Sequence, residues 1–349
     1  MQMPSCPPDS SARPRLLVDF WYAAELESIA TPFSRIRRGG LPGRVMGLLS
    51  ALSILRSADS FDYVVPNWYD WGRLVVVLNA LLPRPRRVML FEVIDYSVVS
   101  RDDWRGRLYR LFVRAVLGPA MRRTLTFMHV MTEYERARFA RLYGLDREVV
   151  QVIPWPLLGW TQASGSASLR PDRDGDYVFS SGRASCDWPT LFAAAADQGW
   201  RLVVVCSRSD LAQVHALNRR VGAEILSEIG KDEHDRLLAG AAVCVISLRE
   251  DHKSSGQVRL GAAIELDVPV VASEVEGLKG YLRHGVNALA FPAGDSVALR
   301  NQVEQLLSDA QARRALSISA RAACDGYDRS AYFRELALRV ERAYRADHA

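Results

Sequence analysis

The 349-residue sequence predicts an α/β protein of two domains, each built on a parallel sheet. Short apolar runs ending in a polar residue alternate with helix-length segments, the pattern of strands buried on both faces. That alternation occurs twice, on either side of a stretch rich in Ser, Gly and Pro between Pro154 and Asp176. The length also exceeds what one hydrophobic core usually supports. The expected layout is an N-terminal tail over 1–13, a first domain over 14–155, a linker over 156–175, a second domain over 176–328 and a final helix over 329–349 returning to the first domain.

In the first half the expected strands are Leu16–Asp19, Tyr63–Val65, Arg87–Phe91, Phe127–Met131 and Val149–Ile153. Ligands of such sheets bind beyond the carboxyl ends of the strands. That rule selects Phe20-Trp21-Tyr22, Asn67-Trp68-Tyr69-Asp70 and the loop holding Glu92 and Asp95. Glu92 and Asp95 are candidate catalytic residues, able to orient or deprotonate an acceptor hydroxyl; helix capping and plain solvation are the alternatives. His129 lies within an apolar run and reads as a hydrogen-bonded core histidine. From Arg101 to Arg123, Trp104, Leu108, Leu111 and Phe112 fall at helical spacing among Arg105, Arg107, Arg110 and Arg114. An apolar face packed on its own sheet is the plain reading. The arginine flank points to lipid or phosphate, and an anionic membrane surface is a candidate partner.

In the second half the expected strands are Tyr177–Ser180, Leu202–Cys206, Ala223–Leu226, Val243–Ile246, Pro269–Ala272 and Ala288–Phe291. The first runs into a turn with Gly182 and Arg183, and a guanidinium there suits a phosphate. Between the fourth and fifth, Lys253-Ser254-Ser255-Gly256-Gln257 opens a helix whose first N–H groups have no internal partners, which makes an anion site; simple capping is the alternative. These five residues with Gly182 and Arg183 are the candidate ligand-binding set.

Composition narrows the function classes. A net charge of +5 with no nucleic-acid motif argues against a nucleic-acid partner. Five scattered cysteines and six scattered histidines give no Cys/His metal site and fit a reducing compartment. Asp172, Asp174 and Asp176 imitate a calcium loop, but Tyr177 and Arg183 stand where its glycine and closing glutamate belong. No apolar run approaches the roughly 20 residues of a spanning helix, and the first residues lack the apolar stretch of a signal peptide. The expected location is cytoplasmic, soluble or peripheral at the inner face of a membrane.

Several of these stretches together resemble glycosyltransferases of the GT-B fold, two Rossmann-like domains facing a cleft, and among them the family 4 type. They are the Gly182-Arg183 turn, Thr132–Arg136 followed by Tyr143-Gly144-Leu145 and Ile153-Pro154, the strand Pro269–Ser273 with its glycine loop, and Gly285–Leu289 followed by Pro292–Asp295. The resemblance covers the chain from about Leu16 onward. It implies a nucleoside-diphosphate sugar as donor substrate on the second domain, no separate cofactor, no metal, and an acceptor on the first. It also implies retention of configuration, with the departing phosphate taking the acceptor proton, and a lipid-linked or membrane-surface glycan is the expected acceptor. The sequence departs from the family where two glutamates usually stand, since Ser254 and Ala262 occupy those places. The basic residue that follows the Gly-Arg turn is also missing, and His252, Lys253 or Arg259 are its candidate substitutes. A nucleotide-sugar epimerase of the same architecture and an inactive binding protein remain alternatives.

Overall fold

A computed structural model of the chain describes residues 13–33, 43–94, 103–160, 175–250 and 253–348. The chain divides into two compact units, Met1–Pro154 with Phe333–Ala349, and Trp155–Tyr332.

The first unit holds a six-stranded parallel sheet of β1 (Leu16–Val18), β2 (Ala30–Pro32), β3 (Tyr63–Val65), β4 (Arg87–Leu90), β5 (Leu125–Val130) and β6 (Val150–Val152), in the order β2-β1-β3-β4-β5-β6. Their near-continuous Val, Leu and Met runs are buried because helices cover both faces. These helices are α1 (Gly43–Ser57), α2 (Arg73–Ala80), α3 (Trp104–Phe112), α4 (Gly118–Thr124) and α5 (Glu133–Tyr143). Strand β2 has no apolar run to announce it. It lies at the sheet edge, where Pro32 gives up no central ladder bond. Helix α5 starts on Thr132, whose hydroxyl accepts from the Glu135 amide at 3.1 Å, and ends on Gly144 at φ 67°.

Helix α3 differs from the plain reading of its apolar face. Trp104, Leu108 and Leu111 are 63%, 59% and 62% exposed, while Gly106 and, in the following turn, Val113 and Leu117 face inward. Trp104, Leu108 and Leu111 are therefore not part of the core, whereas Tyr109 packs against it.

The second unit repeats the architecture with β7 (Tyr177–Gly182), β8 (Arg201–Cys206), β9 (Glu224–Ser227), β10 (Val243–Ile246), β11 (Val270–Glu274) and β12 (Leu289–Pro292), ordered β12-β11-β10-β7-β8-β9 and all parallel. Its helices are α6 (Trp188–Ala195), α7 (Leu211–Leu217), α8 (Lys231–Ala239), α9 (Gln257–Glu265), α10 (Ser296–Ser308) and α11 (Ala310–Ala323). Strand order reverses between β7 and β10, the place where such sheets open a crevice for ligands. The stretch from Gly285 to Asp295 is a turn, strand β12 and the cap of α10. Asn287 is buried and bonds the Arg283 amide and the Tyr281 carbonyl, and Asp295 caps α10. Part of the expected linker is packed structure in this unit: Trp155 and Trp160 stack at 4.5 Å, and Glu265 receives the Gly159 and Trp160 amides.

The last helix, α12 (Arg329–His348), belongs to the first unit from Phe333 onward. Phe333 meets Trp21 and Tyr22 edge-on, the Tyr63 hydroxyl donates to Asp347 at 2.7 Å, and Arg87 pairs with Asp347 at 2.8 Å. Burial and the Asp347 carboxylate beside it push the Tyr63 phenol up.

Candidate active site

In the second unit, β7 ends in Ser180-Ser181-Gly182. The Ser180 hydroxyl donates to the Val245 carbonyl at 2.8 Å and ties β7 to β10 at the switch point. Gly182 is required by its neighbours, because a Cβ there would collide with Cys186 Sγ and lie 2.6 Å from Arg259 Nη1. Arg259 sits in the first turn of α9, and its Nη1 donates to the Ser181 carbonyl. Nη1 also donates to Cys186 Sγ at 3.7 Å, while Nε and Nη2 have no acceptor among the described residues. One guanidinium, that of a candidate substitute for the missing basic residue, thus joins the glycine turn to the start of α9. Asp187, beside the place of that basic residue, caps α6 by accepting from the Thr190 amide at 3.2 Å and the Thr190 hydroxyl at 2.7 Å. Arg183 is 74% exposed and approaches Glu228 only to 3.9 Å.

The loop entering α9 is tightly built. Gly256 takes φ 95°, a conformation suited to glycine. A Cβ on Gly277 would collide with the Lys253 carbonyl, so the two loops are in backbone contact. The Gln257 side chain is buried and donates to the Gly277 carbonyl at 2.6 Å, which makes that side chain a clamp between the loops. Ser254 is 3% exposed, and its hydroxyl is buried with no hydrogen-bond partner among the described residues. A buried hydroxyl without a partner costs about 1–3 kcal/mol unless a ligand or water supplies one. Beside it the first N–H groups of α9 stand open, as at any helix start. Ser255 is half-buried in the same loop.

In the first unit, Glu92 follows β4 at φ 53°. Its amide donates to His129 Nδ1 at 3.0 Å, and its carbonyl accepts from the Tyr69 hydroxyl at 2.6 Å. His129 is wholly buried on β5, with Nε2 2.9 Å from the Ile153 carbonyl. Burial pushes its pKa down to about 4, although the Ile153 carbonyl works the other way. The neutral ring therefore accepts at Nδ1 and donates at Nε2. Burial pushes the Glu92 carboxyl up to about 7, against hydrogen bonds from Tyr22 and Trp21 that lower it. Its Oε2 is buried without a hydrogen-bond partner among the described residues. A carboxyl of this kind holds or gives a proton near neutral pH. Asp95, the other candidate, and His252 lie outside the described residues. Sequence reasoning singled out neither the Tyr69 contact nor the link from His129 to Glu92; only the polar residues after β3 and β4 signalled them.

Residues 187–309 match the family described as glycosyl transferases, group 1. No curated protein matches the chain by sequence. Among solved structures, Anabaena Alr3699/HepE in complex with UDP is 16% identical, with 90% of this chain and 87% of that one covered and a TM-score of 0.64. A glycosyltransferase from Rickettsia africae is 11% identical over 95% and 90% of the two chains, with a TM-score of 0.63. WaaG, a glycosyltransferase involved in lipopolysaccharide biosynthesis, is 18% identical over 88% and 86%, with a TM-score of 0.60. The chain thus has the GT-B fold of these structures, and residues 187–309, within its second unit, match the group 1 glycosyl transferases.

Proposed function

We propose that the protein transfers a sugar from a nucleoside-diphosphate donor to an acceptor hydroxyl, with retention at the anomeric carbon. The observation that supports this most is Arg259, which fastens the Gly182 turn to the open start of α9 and leaves N–H groups for a ligand. Transfer breaks the bond from the anomeric carbon to the β-phosphate oxygen and forms one to the acceptor oxygen, so negative charge grows on the diphosphate. Arg259, Arg183, Lys253, the Ser254 hydroxyl and the α9 dipole supply positive charge and donors for it, so the scheme runs without a metal ion. In the retaining course the acceptor proton passes to the departing phosphate oxygen, and Glu92 orients the hydroxyl. The Anabaena protein of the same fold, solved with UDP and with UDP-glucose, supports the donor class.

The acceptor we propose is a lipid-linked glycan at the cytoplasmic face of a membrane, in polysaccharide assembly. Supporting it is the solvent-facing stripe Trp104, Leu108 and Leu111 on α3, with exposed Arg105, Arg107 and Arg114 around it. No described helix is long and apolar enough to cross a membrane. The test is incubation with a panel of nucleotide sugars and a membrane lipid extract, with and without EDTA. Free nucleoside diphosphate together with a glycosylated lipid, unaffected by EDTA, is the expected result. Isomerised donor sugar, or no turnover with any donor, contradicts the reading.

A further inference from the structure

The turn carrying Gly182 is also held from α8. The Ser181 hydroxyl lies 2.9 Å from Nε2 of His234 on α8, and His234 Nδ1 lies 3.2 Å from Asp235 Oδ1. The Asp235 side chain is buried, and Lys231 pairs with its other oxygen. Burial works against ionisation of Asp235, but hydrogen bonds from His234 and Lys231 outweigh it and hold the carboxyl below its usual range. Asp235 is therefore the acceptor, and Nδ1 carries a proton in either charge state of the ring.

The second nitrogen decides what Ser181 offers. When His234 is neutral, Nε2 accepts and the Ser181 hydroxyl must spend its hydrogen on it. When His234 is protonated, Nε2–H donates to Ser181 Oγ and that hydrogen turns away, toward a different acceptor. Ser181 directly precedes Gly182, and its own carbonyl is the one held by Arg259. We propose that His234 is a positioning residue for the donor, converting Ser181 into a hydrogen-bond donor for a phosphate oxygen, so that binding of a nucleoside diphosphate takes up a proton. This rests on the function proposed above.

The surroundings fit such a coupling. Asp235 and Lys231 on the same helix face His234, the Phe179 ring meets it edge-on at 5.4 Å, Arg259 reaches Ser181 from α9, and Arg183 and Glu228 flank the turn. A diphosphate arriving beside the turn adds negative charge there, and added negative charge favours imidazolium over neutral imidazole.

Calorimetry with UDP, GDP and ADP, in buffers of different ionisation enthalpy, counts the protons exchanged. The ligand's terminal phosphate titrates in the same range, so the reference is His234→Gln, which can hold Ser181 but cannot titrate. The wild type is expected to take up more protons than His234→Gln, and to lose about tenfold more affinity between roughly pH 6 and pH 8. Ser181→Ala is expected to lose the same excess and to bind more weakly at the lower pH. Equal proton uptake and equal pH slopes in wild type and both variants overturn the role of His234 alone. Failure of every nucleoside diphosphate to bind the wild type overturns this proposal and the donor reading together.

Discussion

Glu92 shows how much of a site can be read from one residue and how much needs its neighbours. Its place after β4 follows from the strand pattern, but its proton affinity comes from burial, and its backbone is fixed by His129 and Tyr69. Those partners lie 37 and 23 residues away, beyond any local signal. With its folded pKa raised to about 7, Glu92 contributes stability that is whole below the unfolded carboxylate range and lost as pH rises through neutrality. Glu92→Gln is expected to raise the melting temperature at pH 8, an effect of up to roughly 3 kcal/mol, and to leave it little changed at pH 4. Thermal unfolding at the two pH values checks this. In activity, the same substitution is expected to remove an inflection near neutral pH from the kcat/KM profile. At the phosphate turn, Arg259→Ala and Arg183→Ala are each expected to weaken nucleoside-diphosphate binding about tenfold or more without changing the fold, read by calorimetry and circular dichroism. An unchanged affinity removes that residue from the site.

Elements were legible to the extent that their burial was two-sided. Eleven strands follow from apolar runs, whereas β2 does not, because Ala30-Thr31-Pro32 at the sheet edge carries almost no hydrophobic signal. For α3 the helical spacing was legible but not the direction of its face. The periodicity of Trp104, Leu108 and Leu111 is the same whether that stripe faces the sheet or solvent, and the inward placement of Gly106, Val113 and Leu117 shows that it faces solvent. If the stripe docks on lipid, Trp104→Ser combined with Leu108→Ser is expected to abolish sedimentation with phosphatidylglycerol vesicles while leaving the melting temperature within about 1 °C, since exposed substitutions cost little. Raised salt is expected to weaken wild-type binding through the arginines, each worth about 1 kcal/mol near an anionic surface. Equal sedimentation of variant and wild type contradicts lipid docking by this face. Helix α12 ties into its sheet through Asp347, and Tyr63→Phe is expected to destabilise the first unit by about 1 kcal/mol, seen in chemical unfolding.

For the whole molecule, two parallel sheets and the resemblance were available from sequence because α/β alternation and glycine turns are local patterns. The bonds that join these residues were not, since Arg259 reaches the Ser181 carbonyl across 78 residues and His234 reaches its hydroxyl across 53. The missing family residues also find a physical account here. The second unit carries its positive charge on the first turn of α9, and Asp187 caps a helix beside the place where a cation was expected. The central claim is that a donor diphosphate is bound at this junction, and a crystal structure with a nucleoside diphosphate tests it most directly. Phosphate oxygens are expected on the Ser254 hydroxyl, the first amides of α9 and the Arg259 guanidinium. Phosphates bound elsewhere, with the start of α9 and Ser254 untouched, would contradict it.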